Sequence, residues 1–403
     1  MKHNVAIAGV GMTRFGKHLE RSLSSLAHEA IANALADAGI DAKDIQAAWA
    51  GTAAAPLITG QTLIAGQAIL RRMGIGRIPV INVENACATS ATAFHEACTS
   101  VSLGVHDVAL AFGAEKLFHE DKSKAYAVIA GAIDTERPDE LLQFVGEGEP
   151  GTDSGKSRSL FMDIYARLTS DYSRNSGATA RHYAQVSAKN SVHGSLNPLA
   201  QFRDVLSVDD VLAAPRIAGP LTLTMCSPLG DGAAAAVIVS ERFARQRGIV
   251  ATVKVRSTQL ASAFDPEEGE AGITAWTARR AYEDAAIAVE DISCAEVHDA
   301  TSPAELICCE ALGFCETGGG PEFVASGASA LGGRLPVNTS GGLVRKGHPI
   351  SATGLGQIHE LTQQLRGRAG SRQVHGAKLA VAENGGGFLG RDAAAVVVAV
   401  LSR

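Results

Sequence analysis

Two stretches of this 403-residue chain read as copies of one another. "ADAGIDAKDIQA" (36–47) aligns with "EDAAIAVEDISC" (283–294) at a constant offset, pairing Asp37 with Asp284, Ile40 with Ile287, Asp44 with Asp291 and Ile45 with Ile292. At a slightly larger offset, "CATSATA" (87–93) lies against "HPISATG" (348–354), so that Ser90-Ala91-Thr92 meets Ser351-Ala352-Thr353 and Cys87 falls opposite His348. Two pairings in the same order argue for duplication. If the halves pack about a pseudo-twofold axis, corresponding helix starts face one another, and a cysteine and a histidine distant in sequence meet across the interface. The length points the same way, because single cores stop growing well below this size. Residues 1–240 and 241–403 are the expected halves.

Continuous apolar runs at 5–10, 78–83, 107–113, 233–240, 378–384 and 393–401 read as strands buried on both faces. Helical patterns lie between them, as in "SLAHEAIANALADAG" (25–39), where Leu26, Ala30, Ala34 and Ala38 share a face and Gly39 is the stop. The alternation predicts an α/β fold with a parallel, helix-covered sheet. From about 119 to 218 strand runs thin out and charge rises, as in "FVGEGEPGTDSGKSRS" (144–159). This reads as an insertion in the first half, following a strand end where α/β proteins place substrate loops.

Composition excludes several classes. With 46% hydrophobic and 19% charged residues the chain is globular, and a net charge of −6 with no basic run interleaved with aromatics gives nucleic-acid binding no support. The N-terminal apolar stretch is too short for a signal-peptide core or a membrane span, so a cytoplasmic protein is expected. Seven cysteines without a CxxC fit reduced thiols, with Cys308-Cys309 as packing residues and no metal site. "GVGMTRFG" is no dinucleotide fingerprint, because the third glycine is displaced to Gly16.

Cys87 follows the strand "IPVINVE" and opens a helical run in which Ala91, Phe94, Cys98 and Val101 share a face. A helix N-terminus favours a thiolate and so a nucleophile. Position alone favours a small buried cysteine like Cys98. His348 sits in "SGGLVRKGHPISATG" (340–354), with Pro349 placed as a first helical residue. It reads as the base for the thiol or as a loop histidine satisfying backbone groups. His298 ends the strand "AEVHDAT" (295–301), where it either reaches a site or makes a structural contact to Asp299. Gly385, Gly386 and Gly387 follow another strand and either bring backbone N–H groups to an oxyanion or form a turn. Glu305, after Pro303, reads as an ordinary helix residue in preference to a catalytic one.

"ENACATS", "EVHDAT", "GGLVRKGHP" and "ENGGG", in this order, resemble the thiolase family, as do "MCSPLGDGAAAAVIVS" (225–240) and "LGGRLPVNTSGG" (331–342). The resemblance runs over essentially the whole chain. Its nearest branch is that of sterol-carrier-protein-X and the archaeal thiolases, which includes the large subunit of benzoylsuccinyl-CoA thiolase. It implies a five-layer αβαβα thiolase fold of two duplicated halves, coenzyme A thioester substrates, coenzyme A as co-substrate with no tightly bound cofactor, and a homodimer or tetramer. It also implies a small zinc-ribbon and OB-fold partner protein.

Carried over residue by residue, Cys87 matches the acylated nucleophile and His348 its activating base. His298 matches the histidine of the thioester oxyanion hole. The backbone N–H of Cys87, with one from Gly386 or Gly387, matches the second oxyanion hole, and Ser227 matches a coenzyme A contact. The expected function is therefore a degradative 3-ketoacyl-CoA thiolase working through an acyl-cysteine, on an aromatic or branched substrate. A retro-aldolase on β-hydroxyacyl-CoA and a non-catalytic acyl-CoA- or lipid-binding subunit are the alternatives.

Thiolases carry a second cysteine that moves the α-carbon proton, but the two positions it occupies are Glu383 and Ala300 here, and Thr301 stands where the motif has Phe. His298, Glu383 or a water between the two histidines remain. A histidine starts near ~6.5 whereas a carboxyl needs burial to approach neutrality, so a histidine or histidine-held water is the expectation.

Overall fold

The computed structural model describes residues 4–146, 159–250, 253–267 and 269–403. Most of the polar stretch at 144–159 lies outside these residues. The strands are β1 (Val5–Met12), β2 (Ala47–Gly51), β3 (Val80–Val83), β4 (Val108–Glu115), the hairpin β5 (Arg216–Ala218) with β6 (Leu221–Thr222), β7 (Gly232–Ser240), β8 (Val253–Ser262), β9 (Cys294–Glu296), β10 (Leu379–Gly386) and β11 (Ala395–Ser402). All but the hairpin form one sheet in the order β3-β2-β4-β7-β1-β8-β11-β10-β9.

That order is close to a palindrome about the β1/β8 contact, where Val5 pairs with Val255 and Ile7 with Val253. β1, the Leu23–Ala38 helix, a short 3-10 turn and β2 recur as β8, the Ile273–Ala285 helix, another 3-10 turn and β9. The two helices even end alike. Gly39 at φ 65° and Ala286 at φ 52° occupy the same left-handed position, although only the first carries the glycine that a stop signal leads one to expect.

The layers follow from alternation along the strands. Val5, Ile7, Ala234, Ala236 and Ile238 turn inward onto the Thr89–Ser102 and Thr353–Leu365 helices, which contribute Phe94, Cys98, Leu355, Ile358 and Leu361 to a shared core. Ala6, Ala8, Ala235 and Val237 turn outward onto Leu26, Ala30 and Ile31 of the first outer helix. Val396, Val398 and Val400 do the same for the second. Five layers result. The "GVG" of β1 serves this packing, because a Cβ on Gly9 or Gly11 would lie 2.2 or 2.1 Å from a carbonyl of the Leu23–Ala38 helix.

The sheet is not the parallel one that the alternation of elements predicts. β2 runs parallel to β3 and β4, and β9 to β10, but β4/β7, β7/β1, β1/β8, β8/β11 and β11/β10 are antiparallel. Apolar runs report burial on both faces, which helices on both sides of an antiparallel sheet produce equally well. β2 and β8 carry no such signal: β2 is five residues long, and β8 alternates buried Val253 and Val255 with exposed Lys254 and Arg256. β9 is three residues, so His298 lies two residues beyond its end rather than within a strand spanning 295–301.

The region from 119 to 218 is helical, with elements at Lys122–Ala130, Pro138–Gly146, Leu160–Ser176, Ala180–Ser195 and Val208–Ala213 before the β5–β6 hairpin. No helix among the described residues is long and apolar enough to cross a membrane.

Candidate active site

Cys87 lies in a 3-10 turn (Ala86–Ala88) that feeds the Thr89–Ser102 helix, and the preceding Ala86 is left-handed at φ 47°. Across the pseudo-twofold, Gly347 at φ 106° precedes His348, and a 3-10 turn (Ile350–Ala352) feeds the Thr353–Leu365 helix. The two helix starts meet as the repeat predicts. His348 Nε2 is 3.3 Å from Cys87 Sγ.

A second contact fixes the histidine's tautomer. The Thr353 hydroxyl has one proton, which it donates to the Pro349 carbonyl at 3.0 Å, so toward His348 Nδ1, at 2.7 Å, it can only accept. Nδ1 therefore carries the proton, and Nε2 presents its lone pair to the thiol.

The resting pair is neutral. Burial pushes the Cys87 thiol up to about 12, with Glu115 and Glu84 adding to the rise and the backbone N–H groups of Gly387 and Cys87 opposing it. The helix N-terminus thus does not yield a resting thiolate, contrary to the sequence expectation, because desolvation outweighs it. Burial, His298 and Lys346 hold His348 well below its ordinary value. Both groups are poised for proton transfer once substrate charge develops.

His298 stands edge-on to His348, with ring centroids 5.1 Å apart. Asn384 Nδ2 lies 2.8 Å from its Nδ1; donation by the amide there leaves the proton on Nε2 and makes His298 a hydrogen-bond donor. Burial lowers His298 to about 4, so the ring is neutral. The ligand-type atoms of Cys87, His298 and His348 all lie within 4.8 Å of one another. Three such atoms, two of them imidazole nitrogens, would suit a soft divalent cation, but the 3.3 Å Sγ–Nε2 contact is that of a thiol donating to a base.

Gly387, at φ 65°, supplies the backbone N–H that faces Cys87 Sγ. Gly386 serves packing instead, because a Cβ there would lie 2.4 Å from the Asn85 carbonyl and 2.5 Å from the Ala88 nitrogen, and its absence lets β10 end against the cysteine turn. Ser227 is half-buried and donates its backbone N–H to the Ala300 carbonyl at 2.9 Å. Bridges from Cys226 to Thr301 and from Leu229 to His348 run this segment between the two histidine loops. Ala54, Leu117 and Ile350, with Ile58, Val128, Ile129 and Leu229, form an apolar wall at Cys87.

Several residues that build the site have roles that the sequence does not signal. Glu115 at the end of β4 is fully buried and accepts from Thr52 Oγ1, the Ala53 and Ala54 nitrogens, and both the nitrogen and hydroxyl of Ser351. It ties the His348 turn to the apolar wall. Ser90 Oγ accepts the Leu355 N–H at 3.0 Å and joins the two central helices. Lys346 reaches Glu296 at 3.0 Å beneath the loop. Glu305 is more than an ordinary helix residue: it is buried and accepts from Lys189, Asn190 and Asn338, docking the insertion on the second half.

Known proteins share the fold. Residues 5–242 match the family model "Thiolase, N-terminal domain" and residues 257–400 match "Thiolase C-terminal domain-like". The chain belongs to the thiolase family. It is an acyltransferase of that family. It is 35% identical to human sterol carrier protein 2 over 94% of this chain and 69% of that protein. It is 33% identical to benzoylsuccinyl-CoA thiolase subunit BbsB of Thauera aromatica over 93% of this chain and 92% of that one. An acetyl-CoA acetyltransferase of Methanothermobacter thermautotrophicus is 34% identical over 97% and 98%. Among solved structures, the Ltp2-ChsH2(DUF35) aldolase shares the fold at TM-score 0.78 and 23% identity over 98% of this chain and 97% of that one. Human mitochondrial 3-ketoacyl-CoA thiolase does so at 0.71 and 15%, over 99% and 98%.

Proposed function

We propose that this thiolase cleaves a β-ketoacyl-CoA with coenzyme A through an acyl-Cys87 intermediate. The observation that carries the reading is the Cys87–His348 contact with the Thr353-locked tautomer. As the keto carbon approaches, the thiol proton passes to His348 Nε2 and the sulfur adds to the carbonyl. The new oxyanion is received by the N–H groups of Cys87 and Gly387. Collapse breaks the C–C bond and leaves an acyl-CoA enolate, whose thioester oxygen is stabilised by His298 Nε2–H. The enolate carbon takes a proton from a water held between the two histidines, the thiol proton of coenzyme A replenishes that water as its sulfur attacks the acyl-Cys87 carbonyl, and the His348 proton returns to the departing Cys87 sulfur. Ser227, on the segment between the histidine loops, is the proposed coenzyme A contact.

The apolar wall at Cys87 supports a branched or aromatic acyl group, a preference in keeping with the name of the Thauera relative. A small zinc-ribbon, OB-fold partner and a cytoplasmic setting belong to the same reading. The partner is supported by that relative's name as a subunit and by the DUF35 component in the aldolase's name. That aldolase also keeps retro-aldol cleavage of a β-hydroxyacyl-CoA as a second reading, which has no use for an acylated cysteine.

Mass spectrometry after incubation with acetoacetyl-CoA and with aromatic ketoacyl-CoA decides between them. The acyl group is expected on Cys87 and on no other cysteine, and Cys87→Ala is expected to lose both the adduct and thiolysis. Cleavage of a β-hydroxyacyl-CoA with no adduct would overturn covalent thiolysis.

A further inference from the structure

Thiolysis uses Cys87, His348 and His298 in separate roles, but the three side chains also form a set. Their ligand-type atoms all lie within 4.8 Å of one another, with Cys87 Sγ and His348 Nε2 at 3.3 Å and the two imidazole centroids at 5.1 Å. A tetrahedral zinc ion, about 2.3 Å from sulfur and about 2.0 Å from nitrogen, holds neighbouring ligand atoms about 3.5 Å apart. The thiol–imidazole edge already has nearly that length. The other edges must shorten by no more than about 1.3 Å, a change that side-chain torsions of three residues can share. One thiolate with two imidazoles is also a donor set that suits zinc.

A metal-ligating histidine holds its other ring nitrogen in a hydrogen bond, which fixes the ring. His348 meets this condition as it stands, because Nδ1–H donates to Thr353 Oγ1 at 2.7 Å and Nε2 keeps its lone pair. His298 meets it after one local change. Asn384 Nδ2 lies 2.8 Å from His298 Nδ1, while Asn384 Oδ1 is buried without a hydrogen-bond partner. Turning that amide over brings Oδ1 to Nδ1, so the ring carries its proton there and frees Nε2 as a ligand. The orphaned oxygen is thus an acceptor held in reserve beside the ring. Ala54, Leu117 and Ile350 give Cys87 a dry wall on one side, and the cysteine is only half-buried, which leaves an ion a way in.

We propose that Cys87, His298 and His348 form a zinc site that switches the enzyme off reversibly. In the metal-free protein the thiol donates to His348 Nε2. On binding, the thiol proton leaves to solvent, the sulfur and the two Nε2 atoms coordinate the ion, and the His298 proton moves to Nδ1. Water fills the fourth position. The lone pairs that would attack the keto carbon and accept the thiol proton are then both held by the metal, so nucleophile and base are lost together. The site goes beyond the thiolysis reading and does not depend on it.

Cobalt(II), a spectroscopic stand-in for zinc, tests the ligand set in protein freed of metal with a chelator. The wild type is expected to bind one equivalent with a thiolate-to-cobalt charge-transfer band and the strong visible bands of tetrahedral cobalt, and Zn2+ should erase both. Cys87→Ala should lose the charge-transfer band. His298→Asn should bind at least ~10²-fold more weakly, and Asn384→Ala, which removes the acceptor for Nδ1–H, ~10–100-fold more weakly. Should His298→Asn fail to fold in circular dichroism melts, Asn384→Ala carries the same comparison. Zn2+ should also abolish iodoacetamide labelling of Cys87 in the wild type, and EDTA should restore it. No binding at micromolar metal, binding without the charge-transfer band, or affinity unchanged in folded His298→Asn and Asn384→Ala would each overturn the site. Zinc protection of a Cys87 that no ketoacyl-CoA acylates would instead sink covalent thiolysis and leave the metal site standing.

Discussion

Because the Cys87 thiol is pushed up to about 12 rather than down, its labelling has a defined pH response. Below that value the thiolate fraction grows tenfold per pH unit, so the rate of iodoacetamide alkylation in free enzyme should rise log-linearly from pH 7 to 10. A plateau near neutrality would mean a preformed thiolate–imidazolium pair and would contradict the geometry. Thr353 should matter through the tautomer alone. Thr353→Val keeps the shape but removes the acceptor for Nδ1–H, so the proton is free to move to Nε2 and block thiol deprotonation. The loss of one buried hydrogen bond, ~1–3 kcal/mol, predicts a fall of about tenfold or more in kcat for thiolysis with a smaller change in KM. Equal kcat in Thr353→Val would remove Thr353 from the mechanism. At this scale the sequence was most informative where chemistry is local to a motif, as for Cys87, His348 and His298. It gave no chemical role to Thr353 or Glu115, whose partners depend on how two turns meet.

The elements that meet at the site leave little room. A Cβ on Gly113 of β4 would lie 1.9 Å from the Ser351 carbonyl in the turn that follows His348. Gly113→Ala must therefore push that turn away from β4 and strain the Glu115–Ser351 contacts beside it. Such overpacking costs ~1–3 kcal/mol, and displacement of His348 by even a fraction of an ångström should lower kcat further than the stability loss accounts for. Circular dichroism melts and thiolysis rates on the same sample separate the two; a variant with wild-type kcat would show that the turn has slack. Strands that are long and mostly apolar, such as β4, β7, β10 and β11, were legible from sequence. Their direction was not, because burial on both faces looks the same in parallel and antiparallel sheets. β2 and β9 are too short to carry a pattern, and β8 breaks its apolar run with exposed Lys254 and Arg256.

At the scale of the whole molecule, duplication makes one edge of the sheet conspicuous. The bridge between Ala295 and Val337 repeats the pairing of Ala48 with Val80, so "LPVNTS" in the second half stands where "IPVINV" stands in the first. The second copy is buried: Leu335, Val337, Asn338, Thr339 and Ser340 are almost fully covered, and the insertion grips their backbone through Lys189, His193 and Asn197. The first copy, β3, is covered less: Gln67 donates to the Val80 carbonyl at 3.1 Å, but Ile81 and Asn82 are exposed. Ile81 is 40% exposed at the open edge of the sheet. An uncovered strand edge with apolar side chains is an aggregation hazard unless another chain pairs with it. A second copy of this chain, presenting the same β3, satisfies both partners by twofold symmetry and extends the sheet across the interface. The homodimer we propose for this thiolase should accordingly form through β3. Ile81→Asp would place a charge on each side of the axis, so light scattering after gel filtration should report a dimer for the wild type and a monomer for the variant at micromolar concentration. The melting temperature should rise with protein concentration only in the wild type, as mass action requires of a stabilising interface. A wild-type monomer, or a dimer indifferent to Ile81→Asp, would mean that β3 is protected in some other way.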